Sequence, residues 1–234
     1  MFKIYSIIAF ILTLTFAASN TNDSQFINII PFEANATEAN ETNNNITIDA
    51  HFFEKVQLSL YYNYYLKCRQ NNDPKDCYMA GEIASSIKKY NEALDMYKIS
   101  CEKNYSSGCT NLGYLLSDAI AYGGNHNNNF EAVKYYKKAC SLKNYDGCES
   151  LAIEYYNGNF VPQNRAKALH LFQQACNKGN SMYSCNTTGV MFENGYGCKR
   201  SLNQALEYYR KGCVGKNLIA CKNYATLKQT IDKK

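Results

Sequence analysis

The sequence predicts an all-α fold in which pairs of helices stack into an α/α solenoid. The main observation is a series of five cysteine pairs whose first members are 33, 39, 36 and 37 residues apart. Periods of this length are typical of solenoids built from helix pairs. The low proline content, 3 residues in 234, also favours helices. The pairs are Cys68/Cys77, Cys101/Cys109, Cys140/Cys148, Cys176/Cys185 and Cys213/Cys221.

Two further residue types keep a constant distance from the cysteines. An aromatic residue lies four positions before each first cysteine, and a glycine or alanine lies four positions after each second cysteine. Residues four apart share a helix face, so both patterns predict helices around each pair. Glycine costs about 1 kcal/mol of helix propensity relative to alanine, so its use predicts close contact with a neighbouring helix. The aromatic residues are Tyr64, Tyr97, Tyr136, Phe172 and Tyr209, and the small residues are Gly81, Gly113, Ala152, Gly189 and Ala225.

Residues 1–19 have the pattern of a secretory signal peptide. Lys3 is the only charged residue, an apolar run at 7–16 follows, and Ala17, Ala18 and Ser19 provide small residues for cleavage. The apolar run is shorter than the roughly 20 residues that a spanning helix needs. We therefore expect export, and no stable membrane insertion after the signal is removed.

Residues 20–49 are predicted to be a disordered, asparagine-rich and acidic leader. No lysine or arginine occurs between Lys3 and Lys55. A segment of this composition cannot bury enough apolar surface to order itself. Its acidic residues are Asp23, Glu33, Glu38, Glu41 and Asp49.

The repeats are predicted to occupy residues 50–232. In the unit between Cys109 and Cys140 a helical pattern follows Cys109, glycines and asparagines at 123–129 interrupt it, and helical spacing returns before Cys140. Each unit therefore consists of a first helix, a turn and a second helix. Residues 51–68 are predicted to form a helix that caps the stack, and residues 221–232 a helix that closes it.

The cysteine spacing predicts one disulfide per repeat. Each first cysteine ends a second helix, and each second cysteine begins the next first helix. A tight turn between the helices can bring the two Cα atoms within the roughly 4.4–6.8 Å that a disulfide needs. An exported protein also meets the oxidising conditions in which disulfides form. Each such disulfide is expected to contribute about 2–3 kcal/mol.

One of the eleven cysteines, Cys198, has no partner in this pattern. We expect a free, buried thiol, with an intermolecular disulfide as the alternative. The chain has no C-x-x-C motif, and its histidines, His51, His126 and His170, are scattered. We therefore expect no metal site and no cofactor.

The segments NRAKALHLFQQACNKGN and SCNTTGVMFENGYGCKRSLNQALEYYRKGC resemble Sel1-like repeats, which are relatives of tetratricopeptide repeats. With the regular cysteine pairs, residues 50–232 resemble the secreted Helicobacter cysteine-rich proteins, a family also named for β-lactamase activity. The resemblance implies an α/α solenoid with one disulfide per repeat. It also implies binding and weak hydrolysis of penicillin-like compounds, and interaction with host cells. Cys198, where the family usually has valine, and the long turn at 123–129 depart from the family pattern.

The sequence itself contains no complete catalytic motif. Ser85 with Lys88, and Ser86 with Lys89, match the S-x-x-K motif of serine β-lactamases. Neither of the accompanying motifs, S-D-N and K-T-G, is present. Slow β-lactam hydrolysis therefore remains an alternative function that the family resemblance alone supports, and whether the protein is an enzyme stays open.

A peptide-binding face is the favoured functional prediction. Positions one, five, eight and nine after each second cysteine face away from the core positions. By similarity to tetratricopeptide repeats, they line a concave groove. Their mixture of tyrosine, asparagine and acids suits a peptide ligand, and an ordinary solvated surface is the alternative. The residues are Thr110, Tyr114, Ser117, Asp118, Glu149, Ile153, Tyr156, Asn157, Asn186, Val190, Glu193 and Asn194.

The charge pattern gives a weaker indication of the partner. The chain has a formal charge of +5, with 24 basic and 15 acidic residues after residue 49. These charges are dispersed, which favours solvated helix faces over a nucleic-acid site; attraction of an acidic partner is the alternative. We expect a monomeric, secreted or periplasmic protein whose ligand is a protein or peptide. A β-lactam or a peptidoglycan-like small molecule is a further candidate ligand.

Overall fold

The computed structural model describes residues 50–117 and 129–233, which form ten α-helices. This part of the chain contains no strand, so the all-α prediction is confirmed. The predicted signal peptide, the leader and the turn up to residue 128 lie outside the described residues. The helices are α1 (Ala50–Asn71), α2 (Pro74–Ser86), α3 (Tyr90–Glu102), α4 (Ser106–Ser117), α5 (Asn129–Ser141), α6 (Tyr145–Asn157), α7 (Arg165–Gly179), α8 (Met182–Asn194), α9 (Leu202–Val214) and α10 (Leu218–Asp232).

The helices pack in chain order, each against the next. Four helix pairs, α2/α3, α4/α5, α6/α7 and α8/α9, are flanked by α1 and α10. Because each unit contacts mainly its sequence neighbours, this arrangement is an α/α solenoid, as predicted. None of the described helices is long and apolar enough to cross a membrane.

The flanking helices are longer than the sequence predicts. The helix α1 continues past Cys68 to Asn71. Pro74 then begins α2, because proline suits the first turn of a helix and not its interior. The helix α10 begins three residues before Cys221, where Asn217 accepts a hydrogen bond from the Ala220 amide at 2.9 Å. Such caps satisfy amide donors that a helix start leaves unpaired.

In three repeats the glycine of the first helix lies directly against the aromatic ring of the second helix. A Cβ added to the glycine would lie under 3.0 Å from the ring carbons, closer than atoms in a packed interior can approach. The close helix contact that the glycines predict is therefore made within each of these repeats, where the tyrosine ring of the second helix packs on the glycine of the first. The pairs and distances are Gly81/Tyr97 at 2.6 Å, Gly113/Tyr136 at 2.4 Å and Gly189/Tyr209 at 2.5 Å.

The two alanines of the pattern behave differently from the glycines. Ala152 is fully buried, in the repeat whose aromatic residue is Phe172. Ala225 is exposed, because no helix in the described chain follows α10 to cover it. The small residue is thus a packing requirement only where a second helix follows in the stack.

The structure places the five predicted cysteine pairs at disulfide distance. The S–S distances are 1.98–2.08 Å and the Cα–Cα distances 4.4–4.7 Å. In three of the turns the third residue after the first cysteine is left-handed: Asn104 with φ of 65°, Lys143 with 65° and Lys216 with 67°. This reversal brings the start of one helix back to the end of the previous one, so each disulfide joins consecutive units. The pairs are Cys68–Cys77, Cys101–Cys109, Cys140–Cys148, Cys176–Cys185 and Cys213–Cys221.

The turn between Cys176 and Cys185 differs in detail from the predicted one, although the pairing itself is as predicted. The expectation that Cys176 ends its helix is off by three residues, as it is for Cys68, whereas Cys185 lies in the first turn of the next helix, as expected. The helix α7 continues past Cys176 to Gly179, and Cys185 is the fourth residue of α8, which begins at Met182. Because this pair is separated by 9 residues, one more than in three other pairs, the helix is extended before the left-handed residue Asn180, with φ of 54°, reverses the chain. The second cysteine of every pair is the fourth residue of its helix, so the additional residue lengthens only the end of α7.

Candidate binding face

The first helices of the repeats lie side by side in one layer. The helix α2 touches α4, α4 touches α6, and α8 touches α10. Side-chain hydrogen bonds continue this layer from α2 to α10. They run from Asn111 Nδ2 to Glu82 Oε1 at 2.5 Å, Ser150 Oγ to the Tyr114 hydroxyl at 3.3 Å, Ser184 Oγ to Glu149 Oε2 at 2.5 Å, and Asn223 Nδ2 to Asn186 Oδ1 at 2.9 Å.

We call the accessible side chains of this layer the first-helix face. It contains most of the residues that the sequence predicts for ligand binding, together with two that the sequence analysis missed, Glu82 and Asn111. The register of the later repeats points to Glu82, which lies five positions after Cys77. The face consists of Glu82, Asn111, Tyr114, Ser117, Glu149, Ile153, Tyr156, Asn157, Asn186, Val190, Glu193 and Asn194.

Two predicted binding residues are not part of this face. Thr110 is only 3% exposed, and its hydroxyl donates to the carbonyl oxygen of Ser106. Its Oγ1 lies against Gly147 at the start of α6, so the next repeat covers it and a ligand cannot reach it. Asp118 lies outside the described residues.

The disulfides lie beneath the face and are not part of it. Cys185 is buried in the same apolar cluster as Phe172 and Met191, and Cys176 belongs to that cluster too. Cys77, in the first repeat, is likewise buried. These cysteines therefore hold the helices that carry the face, and a ligand on the face does not reach them.

Tyr114 is the most prominent aromatic side chain of the face, with 42% of its surface exposed. Its ring makes an edge contact with Tyr136 at 5.7 Å, and its hydroxyl accepts a hydrogen bond from Ser150. Partial burial raises the pKa of Tyr114, so the hydroxyl stays protonated and can still donate. A held ring with a polar end provides contact area at a low entropy cost.

Tyr156 contributes both to the face and to the packing beneath it. Its ring is half-buried and makes edge contacts with Phe172 at 6.5 Å and Tyr196 at 6.3 Å. The Arg165 guanidinium lies 4.6 Å from the Tyr196 ring centroid and 5.8 Å from that of Tyr156. Cation–π contacts of this kind hold the two rings together. Removal of Tyr156 would therefore disturb the fold as well as the face.

Three glutamates of the face are each oriented through one carboxylate oxygen. Tyr209 donates to Glu193 Oε2 at 2.6 Å, and Tyr97 donates to Glu82 Oε1 at 2.5 Å. Burial, and then the glutamate itself, raise the pKa of both tyrosines, so they remain protonated donors. The hydrogen bonds of Glu149 are likewise made by one oxygen. Its Oε2 accepts from the hydroxyls of Ser181 and Ser184.

Glu154 is a buried carboxyl at an apolar position. It lies six residues after Cys148, where the other repeats have buried Leu115 and Met191. Only 8% of Glu154 is exposed, and its Oε2 has no hydrogen-bond partner in the described chain. Burial raises the pKa of this carboxyl, because the charged form is poorly solvated.

The S-x-x-K motifs are not assembled as a nucleophile and base. The helix α2 ends at Ser86, so both motifs run into the turn before α3, where Lys88 has a φ of 61°. Ser86 Oγ donates to the carbonyl oxygen of Ile83 at 2.7 Å. Lys89 Nζ pairs with Glu92 at 3.2 Å. Ser86 and Lys89, the two side chains of the second motif, are thus engaged elsewhere.

The remaining reactive groups are isolated. Among the described residues no group of three His, Cys, Asp or Glu side chains is placed to hold a metal ion. Cys198 is unpaired and partly buried, with Sγ 3.8 Å from the carbonyl oxygen of Met191. Burial raises its pKa, which lowers the fraction of reactive thiolate.

Apart from this face, a concave region lies between α1 and α3, with a volume of about 290 Å³. Its lining carries charges of both signs. Tyr62 lies here with 42% of its surface exposed, the same fraction as Tyr114. The other lining residues are Tyr61, Tyr65, Arg69, Lys89, Glu92, Asp95 and Met96.

Fold and cysteine geometry define the class of protein as a disulfide-linked helical repeat solenoid. The chain belongs to the Sel1 repeat family: the family model for the Sel1 repeat matches residues 76–105, 106–144, 146–180 and 183–213, more than half of the chain. Each matched segment covers the greater part of one first helix and the second helix that follows it. The resemblance predicted from the sequence is confirmed.

Two solved structures and one known relative are similar to this chain. A Sel1 repeat protein from Oxalobacter formigenes superimposes with a TM-score of 0.60 at 18% identity, over 74% of this chain and 75% of that one. Helicobacter pylori cysteine rich protein B is 28% identical over 59% of this chain and 98% of its own, with a TM-score of 0.44. Cytochrome c oxidase assembly factor 7 of Xenopus tropicalis is 27% identical over 168 residues, 68% of this chain and 71% of that protein.

Proposed function

We propose that this protein is a secreted or periplasmic module that binds an extended peptide segment of a protein partner on the first-helix face. The observation that carries the proposal is Tyr114, a held and partly exposed ring in the middle of a continuous layer of polar side chains. A disulfide-rich array of Sel1 repeats is consistent with a protein-binding module.

The composition of the face favours a peptide over a compact small molecule. The layer extends across all four repeats, so it matches a ligand that is long in one direction. Asn157 and Asn194 are exposed at its edge, and amide side chains can pair with both the donors and the acceptors of a peptide backbone. Ile153 and Val190 are partly buried side chains of the same face, and they would add apolar contact with the peptide.

The compartment is part of the same proposal. Five cysteine pairs at disulfide distance are compatible with an extracellular or periplasmic location. The predicted signal peptide at residues 1–19 supports export. A reducing compartment would leave these pairs open.

The test is a selection of random displayed peptides on the purified protein with its disulfides formed. We expect the Tyr114→Ala variant to bind the selected peptides about 5–30 times more weakly, since aromatic anchors carry much of the energy of such contacts. Fluorescence anisotropy with one selected peptide measures the change. Thermal melting of the variant confirms that the fold is retained.

Tyr62→Ala is the matched control, because the same residue type with the same exposed fraction is removed outside the face. Binding that survives Tyr114→Ala and is lost in Tyr62→Ala would locate the site between α1 and α3. That result would contradict the proposal. Tyr156→Ala is a poorer test, because its ring also packs on Phe172.

Slow β-lactam hydrolysis is the alternative that the family resemblance implies, and the described residues add no support for it. Ser86 donates to a backbone carbonyl and Lys89 pairs with Glu92. A chromogenic cephalosporin assay on the same sample separates the two functions. Turnover that Ser85→Ala abolishes would replace the binding proposal with a serine hydrolase.

A further inference from the structure

The charges of the repeats are divided between their two helices. The first helices α2, α4, α6 and α8 carry six acidic residues and one basic residue. The second helices α3, α5, α7 and α9 carry nine basic residues and five acidic ones. The formal charge of +5 therefore hides a local excess of negative charge on the layer that forms the first-helix face. A ligand on this face meets the local potential more than the net charge.

The glutamates of the face are arranged to contact a cation. Glu82, Glu149 and Glu193 are each held by hydrogen bonds to one carboxylate oxygen, and all three side chains remain partly exposed; Glu82 also interacts with the Tyr78 hydroxyl. A carboxylate held in one orientation by neighbouring donors needs little rearrangement to accept an ammonium or guanidinium group.

The second repeat supplies an aromatic ring in place of a carboxylate. Its described first helix, α4, has no charged residue, and Tyr114 is the exposed side chain of that helix. The face of a tyrosine ring attracts a lysine or arginine side chain. Each repeat thus presents one group that favours a cation, in the order Glu82, Tyr114, Glu149 and Glu193.

The repeat spacing sets the spacing of the ligand. Packed helices lie about 8–10 Å apart, and an extended chain rises about 3.3 Å per residue. One repeat therefore corresponds to about three residues of an extended peptide.

We propose that the first-helix face selects extended peptide segments that carry several lysine or arginine side chains, on average about one for each repeat that the segment crosses. The inference rests on the proposed function and names the chemistry of its ligand. A basic ligand of this kind is the opposite of the acidic partner that the net charge of the chain would favour.

The test uses three fluorescent peptides of about twelve residues, which is about the length that spans four repeats. They share a serine and proline background and carry lysine, glutamine or glutamate at every third position. We expect the lysine peptide to bind the intact protein, and the glutamine and glutamate peptides to bind at least about tenfold more weakly. The binding of the lysine peptide is expected to weaken as ionic strength rises from about 0.05 to 0.5 M.

Two triple variants separate the face from the net charge. Glu82→Gln with Glu149→Gln and Glu193→Gln keeps the hydrogen-bond acceptors and removes three charges from the face. Glu102→Gln with Glu131→Gln and Glu207→Gln removes the same charge from the exposed side of the second helices. We expect about tenfold weaker binding of the lysine peptide in the first variant and a change under about twofold in the second.

Each other outcome overturns the inference. Equal losses in both variants would show attraction to the net charge alone. Equal binding of the lysine and glutamine peptides, or no saturable binding of the lysine peptide, would show that the face does not select cations. The proposed function would stand in those cases if selected peptides of other composition still lost affinity in Tyr114→Ala. It would fail separately if they did not.

Discussion

Glu154 shows how one residue departs from the pattern of its repeat. The same register position holds Leu115 and Met191 in two other repeats, and both are buried. A carboxyl in this position loses its hydration, and no described group compensates for one of its oxygens. The fold therefore carries a local destabilisation at neutral pH that the neighbouring repeats avoid.

We predict that Glu154→Leu raises the free energy of unfolding by about 1–3 kcal/mol at pH 7, because it removes a poorly satisfied buried carboxyl. The raised pKa means that the folded state binds this proton more tightly than the unfolded state. The contribution of Glu154 to stability is thus largest at low pH and is lost as pH rises through the folded pKa, above the ordinary value of 4.5. Denaturant unfolding at several pH values measures both effects.

The advantage of Glu154→Leu over the wild-type chain should therefore grow from acidic to neutral pH. Glu131→Leu, at an exposed position of α5, is the control and should show little of this dependence. A variant less stable than the wild type at pH 7 would show that Glu154 makes a favourable buried contact.

At the scale of helices, the contact between glycine and tyrosine sets how closely the two helices of a repeat approach. The ring of Tyr209 lies on Gly189, and its hydroxyl is held by Glu193. The third repeat has Ala152 and Phe172 in the same register. A ring without a hydroxyl has no such anchor, so it can shift enough to accommodate a methyl group.

We predict that Gly189→Ala destabilises the protein by about 1–3 kcal/mol, although alanine is the better helix former, because its Cβ would overlap the Tyr209 ring. The double variant with Tyr209→Phe reproduces the pair of the third repeat. We expect it to be less destabilised than the sum of its two single variants. A double-mutant cycle of unfolding free energies measures the coupling.

The control for this cycle is Ala152→Gly. It relieves no contact and should cost at least about 1 kcal/mol, because glycine lowers helix propensity and a buried methyl group is removed. Additive effects of Gly189→Ala and Tyr209→Phe would mean that the ring shifts as freely with its hydroxyl as without it.

At the scale of the whole molecule, the disulfides join units that otherwise contact only their neighbours. The bonded cysteines are 8 or 9 residues apart, so each bond closes a short loop at the junction of two helices. A disulfide that closes such a short loop stabilises the folded state by about 2–3 kcal/mol, because it lowers the entropy of the unfolded chain. Because a solenoid has few long-range contacts, five such junctions affect the whole array.

We predict that full reduction lowers the free energy of unfolding by several kcal/mol in sum and thereby lowers the thermal midpoint. We also expect Cys140→Ser to destabilise the fold more than Cys198→Ser does. Cys198 is the matched control, since its thiol is unpaired. Peptide mapping without reduction checks the five pairs first. A cross-link between different pairs, or an unchanged midpoint after reduction, would show that helix packing alone holds the stack.

The repeat architecture was predictable because it depends on periodicity within single helices. The recurring cysteines, the aromatic residue before each pair and the small residue after it specify helix faces, and a helix face needs only local spacing to be recognised. The positions of Tyr114 and Glu193 on an accessible face follow from the same register. The identity of the repeat family also follows from residues that are close in sequence.

The exact ends of the helices were less predictable than their faces. Cys176 was expected at the end of its helix, but α7 continues to Gly179 before Asn180 reverses the chain, and α1 likewise continues past Cys68 to Asn71. Spacing within a helix identifies a shared face, but it does not say where capping and the reversal of the chain begin and end that helix.

By itself, then, the sequence determined a helical solenoid with one cysteine pair per unit and an approximate register for the accessible positions of the first helices. Only the tertiary structure decided which side chains of that register a neighbouring repeat covers or holds. Thr110 is covered by α6, and Glu82 bonds Asn111 from a different repeat. The acidic character of the first-helix face likewise emerges only when the first helices are placed in one layer. The physical reason is that burial and local potential depend on contacts between repeats, which the periodicity of one helix does not specify.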